Sequence, residues 1–433
     1  MDSRTEKAIA DARAYGRMTP GRMIDSQQNS LHDVGTSVPV HVTKARIPLP
    51  ADSNLIIRTG EAIRHLGDPL NTFTVPTEED VSVEWVSHRN VDTTTVNDDA
   101  MVESSYSKMM SQVRSKTTIL YFHGGQFWRM GRSPRWITGR LAQETGGRCL
   151  AVQFRLSPQN PFPAALVDGL AAYLSLLYPP PGSLHAAVSA SDICFAGDSA
   201  GGNLAIALLQ LILEIKRTSS GASSEVVWNG DRKAIPLPAG IAILSPYVDL
   251  TRAFDSEVLN LGHDIIPARG PPFSNFQRCD IWPAHPPRHH VYADDSTLLH
   301  PLVSPVTVQN WIGAPPTWIC VGEECLADPA KFIAQQMTKA NVAVVMEQYA
   351  GMPHNFALIA TDSEPSKHST SQWASFIRAT VDRSHSISSR ARRWSGQPLQ
   401  ETILDVANLV PLKPTELEDR MEAQIKTWGA PPA

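Results

Sequence analysis

Apolar residues in this chain switch between two spacings. Val81-Ser82-Val83-Glu84-Trp85-Val86 alternates apolar with polar side chains, the period of two expected of a strand with one wet face. Short apolar runs at 117–122, 148–156, 192–196, 239–244, 317–321 and 342–349 predict further strands. Between them lie longer stretches that predict helices, at 161–178, 204–217, 330–340 and 366–383. Strands separated by helices of ten or more residues need crossover connections. The pattern therefore predicts an α/β domain, a mostly parallel central sheet with helices on both faces.

The flanks and two internal stretches follow neither rhythm. Residues 1 to about 50 are polar and weakly patterned, which predicts either disorder or a cap over the remainder. Leu55, Ile56, Ala62, Ile63 and Leu66 then form an imperfect helical stripe, with Ser53 as the expected N-cap. Residues 219–238 are rich in Ser, Gly and Pro and read as a surface insertion. Residues 253–300 are proline-rich and aromatic, with Phe273, Phe276, Trp282 and Tyr292, and read as a cap insertion. In the tail, Leu417, Met421, Ile425 and Trp428 share one helical face behind Thr415-Glu416-Leu417-Glu418, which has capping-box spacing. The expected organisation is an N-terminal extension or cap over 1–80, a core over 81–384 and a C-terminal extension over 385–433 that ends in a docked helix.

Composition narrows the partners. A chain of 433 residues can hold one large domain with a cap or two ordinary ones. A net charge of −5 gives neither nucleic acid nor an anionic membrane surface a reason to bind. The basic cluster of Arg390, Arg392 and Arg393 is short and reads as a solvated loop. Cys149, Cys194, Cys279, Cys320 and Cys325 are odd in number and hold no Cys-x-x-Cys pair, which argues against a disulfide framework and a zinc site. Residues 1–20 contain no apolar signal-like core and no transmembrane-length run follows, so a soluble cytoplasmic protein is expected.

One stretch carries chemistry. A strand-like run feeds Gly197-Asp198-Ser199-Ala200-Gly201-Gly202-Asn203, and the apolar run 204–215 follows. Gly-x-Ser-x-Gly between a strand and a helix is the context of a nucleophile elbow, in which the flanking glycines leave room for a strained serine. The serine then stands at a helix N-terminus, where backbone N–H groups favour developing negative charge. Ser199 is the candidate nucleophile.

Two further segments precede the elbow: His123-Gly124-Gly125-Gln126, and Phe154-Arg155-Leu156-Ser157-Pro158-Gln159-Asn160-Pro161-Phe162-Pro163-Ala164-Ala165-Leu166 with Asp168 beyond it. Together the three resemble the hormone-sensitive-lipase-like family of α/β-hydrolases, over about 81–383. The resemblance implies the α/β-hydrolase fold, an oxyanion hole made by the backbone N–H groups of Gly124, Gly125 and Ala200, and a base in a Gly-x-x-His-x-Phe loop. Gly351-Met352-Pro353-His354-Asn355-Phe356 fits that loop, so His354 is the expected general base. His123 is expected to be structural, and Gln126 replaces the family's third glycine. Asp198 is expected to brace the elbow, while Ser245, Pro246 and Asp249 match a supporting Ser-Pro-x-x-Asp-Leu segment.

The acid departs from the family's Asp-x-Leu-x-Asp pattern. Gly322-Glu323-Glu324-Cys325-Leu326-Ala327-Asp328 aligns Glu324 with the first acid and Asp328 with the second. Glu324 is the expected acid, Asp328 the alternative, and Glu323 is expected to be solvated. His263, His285, His289, His290 and His300 fall in or beside the cap region and are expected at the surface.

The resemblance implies a serine esterase that cleaves small to medium hydrophobic esters through an acyl-enzyme, with neither a metal nor an organic cofactor. The same triad serves acyl transfer, amide deformylation or cyclisation in specialised-metabolite biosynthesis, and the long insertions and glutamate acid look like those of some fungal members. Plant gibberellin receptors resemble the family but are non-catalytic binders that have lost the histidine. Here Ser199, His354 and a carboxylate are all present, which favours an enzyme.

Overall fold

The computed structural model describes residues 3–16, 21–32, 38–89, 102–131, 134–218, 225–383 and 386–432. Among the described residues the twelve strands are β1 Val40–Ile47, β2 Val81–His88, β3 Thr118–Phe122, β4 Arg148–Gln153, β5 Ile193–Asp198, β6 Glu225–Trp228, β7 Asp231–Ala234, β8 Gly240–Leu244, β9 Thr317–Gly322, β10 Val344–Tyr349, β11 Arg390–Ser395 and β12 Gln400–Leu404. Ten of these form one sheet in the order β1-β2-β4-β3-β5-β8-β9-β10-β11-β12, and β6 with β7 makes a separate hairpin. From β4 to β11 all neighbours run parallel, while β1, β2 and β12 pair antiparallel at the two margins.

Every residue of β3, β5, β8, β9 and β10 is buried, which is why these runs read as continuously apolar. Successive side chains still point to opposite faces. Leu120, Phe122, Phe195, Ile241, Ile243, Ile319 and Val321 pack toward the helices Ala164–Leu177, Ala200–Thr218 and Ala327–Lys339. Ile119, Tyr121, Cys194, Ala196, Ala242, Trp318 and Cys320 pack toward Pro134–Thr145 and Glu364–Asp382. Parallel register brings the C-terminal ends of β3, β5, β8, β9 and β10 to one sheet edge, the usual place for a site in an open α/β sheet.

Several expectations are corrected. Residues 40–47 belong to the sheet as β1, paired from Val40↔His88 to Ile47↔Val81, so the sheet starts before the expected core boundary at 81. Arg390, Arg392 and Arg393 lie on β11 rather than in a solvated loop, and Arg392 pairs with the wholly buried Glu347 at 2.9 Å. The helix Pro134–Thr145 left little trace in the apolar pattern, because three of its buried positions are Thr138, Gly139 and Thr145. Asn54, not Ser53, precedes the helix Leu55–Leu66, and its Oδ1 accepts from Val227 N–H at 2.8 Å instead of capping. The terminal helix begins at Pro414 without the capping box, and Leu417, Met421 and Trp428 are buried.

Part of the expected insertion at 219–238, residues 219–224, lies outside the described residues. The remainder holds the β6–β7 hairpin, whose Trp228 is wholly buried and donates to Tyr178 O at 2.8 Å. Residues 253–300 hold little regular structure beyond the short helix Ser256–Leu259. Met23 from the helix Met23–Ser30 joins Trp128, Trp282, Ala284 and Val291 in a separate apolar cluster, so the N-terminal segment and the 253–300 stretch meet at Trp128. Among the described residues, no helix is long and apolar enough to cross a membrane.

Candidate active site

Ser199 follows β5 directly and has φ +51°, left-handed backbone that a serine adopts only under constraint. A Cβ on Gly201 would lie 2.0 Å from Phe122 O, so the helix Ala200–Thr218 approaches β3 as closely as it does only because that position is glycine. Ser199 N–H donates to Leu244 O at 3.0 Å, and Asn203 Nδ2 donates to Tyr247 O at 2.8 Å and Val303 O at 2.9 Å. The strained turn is thus tied to the next strand and to the chain beyond it.

His354 Nε2 lies 3.0 Å from Ser199 Oγ, and His354 Nδ1 lies 3.0 Å from Glu324 Oε1. All three residues are buried. The second oxygen of Glu324 accepts from Gly322 N–H at 2.9 Å and Ser245 Oγ–H at 2.6 Å, which satisfies a carboxylate held wholly away from water. Ser245 Oγ in turn accepts from Asn355 N–H at 3.1 Å, linking Glu324 to the loop that carries His354. Burial pulls the His354 pKa down, but the charge and hydrogen bond of Glu324 together with the charges of Asp264 and Asp198 outweigh it, leaving the pKa above the ordinary imidazole value. Asp328 does not reach His354; its Oδ1 faces Lys331 Nζ at 3.4 Å.

The loop after β3 corrects one expected oxyanion donor. Gly124 N–H donates to Asp198 Oδ1 at 3.0 Å, so it is already spent inside the protein. Asp198 also accepts from Tyr121 O–H at 2.6 Å and Asn355 Nδ2 at 2.9 Å, joining the turn at Ser199, the loop after β3 and the loop that carries His354. Gly125, Gln126 and Phe127 follow with φ +111°, +55° and +65°. Among the described residues, nothing accepts from the backbone N–H groups of Gly125, Gln126 or Ala200. Trp128 Nε1 donates to Gln126 Oε1 at 3.2 Å, and Phe127 stacks on Tyr292 with ring centroids 3.6 Å apart, contacts that hold the left-handed backbone in place.

Residues 119–358 match the model of a family described as having the alpha/beta hydrolase fold. The chain belongs to the α/β-hydrolase family. It is 31% identical over 242 residues to an acetyl-hydrolase of Streptomyces hygroscopicus, covering 55% of this chain and 67% of that protein. It is 30% identical over 288 residues to the carboxylesterase/phospholipase LipF of Mycobacterium tuberculosis, covering 65% of this chain and 67% of that protein. An esterase of the bacterial hormone-sensitive lipase family has a solved structure that superposes with a TM-score of 0.57 at 20% identity, over 88% of this chain and 99% of that one. The chain is therefore an enzyme of the hormone-sensitive-lipase-like α/β-hydrolases.

Some other residues of this hydrolase sit differently from expectation and some as expected. Glu323 is not simply solvated: it accepts from Gly351 N–H at 2.8 Å and from Arg393 at 3.2 Å, so the loop that carries Glu324, the loop that carries His354 and β11 meet at one carboxylate. His289, His290 and His300 are buried rather than at the surface, and burial pushes His290 down to about 3 and His300 down to about 4. His263 and His285 are exposed. His123 stacks on Phe154 at 4.3 Å and donates from Nδ1 to Gly124 O at 2.6 Å; burial pushes it down to about 4, which fits a neutral structural ring. Asp168 is buried against Arg155, accepting from its backbone N–H at 2.7 Å and from its guanidinium at 2.8 Å. Asp264 belongs to no motif, and sequence reasoning passed over it; it accepts from His354 N–H at 2.9 Å and Cys325 N–H at 2.6 Å. Among the described residues, no group of three or more His, Cys, Asp or Glu could hold a metal ion.

Proposed function

We propose that this hydrolase cleaves carboxylic esters of small to medium hydrophobic substrates, with Ser199 as nucleophile, His354 as general base and acid, and Glu324 as the residue that orients the imidazole. The observation that carries the reading is the unbroken line Ser199 Oγ to His354 Nε2, then His354 Nδ1 to Glu324 Oε1, each step 3.0 Å. Nδ1–H donates to the carboxylate, which leaves the Nε2 lone pair facing the hydroxyl. As Oγ attacks the ester carbonyl, Nε2 takes its proton, Glu324 stabilises the imidazolium, and the same proton passes to the departing alkoxide. Water then attacks the acyl-enzyme through the same histidine.

The N–H groups of Gly125, Gln126 and Ala200 supply the oxyanion hole in this reading, and Gly124 instead anchors the loop to Asp198. The unspent donors on one loop and at the helix N-terminus support that assignment. Relatives named acetyl-hydrolase and carboxylesterase support an ester substrate. The test is hydrolysis of p-nitrophenyl acetate and butyrate, followed by a longer acyl series, with labelling by a fluorophosphonate. Ser199→Ala is expected to abolish labelling and to lower kcat by roughly 10⁴ or more. Labelling or turnover that survives the substitution would reject the nucleophile.

A further inference from the structure

Resting on the triad reading above, we infer that Asp264, a residue of the irregular 253–300 stretch, is a positioning residue that fixes the acid loop and base loop at their working separation. Each of its carboxylate oxygens holds a different loop. Oδ1 accepts from the backbone N–H of His354 itself, at 2.9 Å, and Oδ2 accepts from the N–H of Cys325, the residue after Glu324, at 2.6 Å. Asp264 is 1% exposed, so these bonds form in a water-poor setting where a carboxylate needs its partners and holds them firmly. The His354 Nδ1 to Glu324 contact spans the same two loops. One rigid carboxylate therefore sets a distance that the chain connecting residues 324 and 354 cannot set alone, since a helix and a strand intervene.

Asp264 is itself anchored from two sides. Its Oδ1 also accepts from Ile265 N–H at 2.7 Å, and its carbonyl accepts from Arg13 Nε at 3.1 Å, so the helix Ser3–Gly16 reaches the same residue. The charged and titratable neighbours are few. Glu324, Asp264 and Asp198 face His354, all favouring its protonated form. On its other side Asp264 faces Cys325 and Glu257, the latter paired with Arg252. Position and charge thus make separable contributions: the two N–H contacts place the loops, and the negative charge stabilises the imidazolium.

Asp264→Asn and Asp264→Glu separate the two. Asparagine must turn an NH₂ toward one of the two backbone donors and carries no charge. It is expected to lower kcat by about ten- to a hundredfold with KM nearly unchanged, the scale of a misplaced catalytic group. It is also expected to move the acid limb of kcat/KM to lower pH, because a lost negative charge makes the imidazolium easier to deprotonate. Glutamate keeps the charge but changes the reach, so kcat falls while the limb stays in place. The inference is overturned if Asp264→Asn keeps wild-type kcat and limb, or if its lost activity merely follows its folded fraction, read by thermal melting, with the limb unmoved. Should Asp264→Asn fail to fold, Asp264→Glu decides alone: wild-type kcat in that variant overturns the inference. Ser199→Ala keeps the two proposals apart, since activity surviving in Ser199→Ala defeats the triad itself, whereas an inert Ser199→Ala beside an unaffected Asp264→Asn defeats only the role of Asp264.

Discussion

Ser199 and its two partners in the site, Glu324 and His354, are held by different physics. Ser199 is placed by its immediate neighbours: a strand, a turn and a helix in unbroken sequence, with Gly201 packed on Phe122 O where any Cβ would collide. Glu324 and His354 sit on separate loops and are placed by polar contacts between residues up to 110 positions apart. Ser245 bridges Glu324 to Asn355, Glu323 bridges Gly351 to Arg393, and Asp264 bridges His354 to Cys325. The first region resists change sterically; the second depends on each buried donor finding its acceptor.

Substitutions in the two regions should fail in different ways. After Ser199→Ala, the largest effect is expected from Glu324→Gln, which leaves the space filled but removes the charge that holds Nδ1–H. By analogy with neutralising a triad acid, kcat should fall by roughly 10⁴. The same change should drop the acid limb of kcat/KM, because the His354 pKa stands above the ordinary value largely through Glu324, and a pH–rate profile reads this directly. Next comes Gly201→Ala, whose Cβ would meet Phe122 O at 2.0 Å. Pushing the helix off the sheet should cost about a hundredfold in kcat and a lower Tm, both measurable on purified protein.

Ser245→Ala removes a 2.6 Å bond to the buried carboxylate of Glu324 and an acceptor for Asn355 N–H. A loss of about 1.5–3 kcal/mol is expected, seen as a tenfold or greater fall in kcat with KM held. The smallest effect should come from Glu323→Gln. Its partner Arg393 is 38% exposed on the side chain, which makes the pair weak, and a glutamine oxygen can still accept from Gly351 N–H. A change within about 1 kcal/mol in stability and a few-fold in kcat is expected, and a hundredfold loss would mean that β11 controls the base loop more tightly than these contacts suggest.

The difference also explains what could be read from the chain. The alternation of strands and helices, the elbow and the loop carrying His354 were legible because each is a local pattern, written in consecutive residues. The loop after β3 was legible only in part. Two consecutive glycines signal a close approach, but which N–H is spent on Asp198 depends on a side chain 74 positions away. The buried state of His289, His290 and His300 was hidden in the same way, since a stretch without periodicity gives no sign of what covers it.

By itself, then, the sequence determined the periods of its elements, the position of the strained serine and the residue types able to transfer a proton. Those follow from backbone sterics and side-chain spacing, which act over a few residues. Only the tertiary structure decided that Glu324 rather than Asp328 faces His354, that Gly124 is an anchor, that β1 and β11 belong to the sheet, and that Asp264 clasps two loops. Each is a pairing between segments far apart in the chain, and it forms because a buried donor or acceptor must be matched with whatever the fold brings within reach.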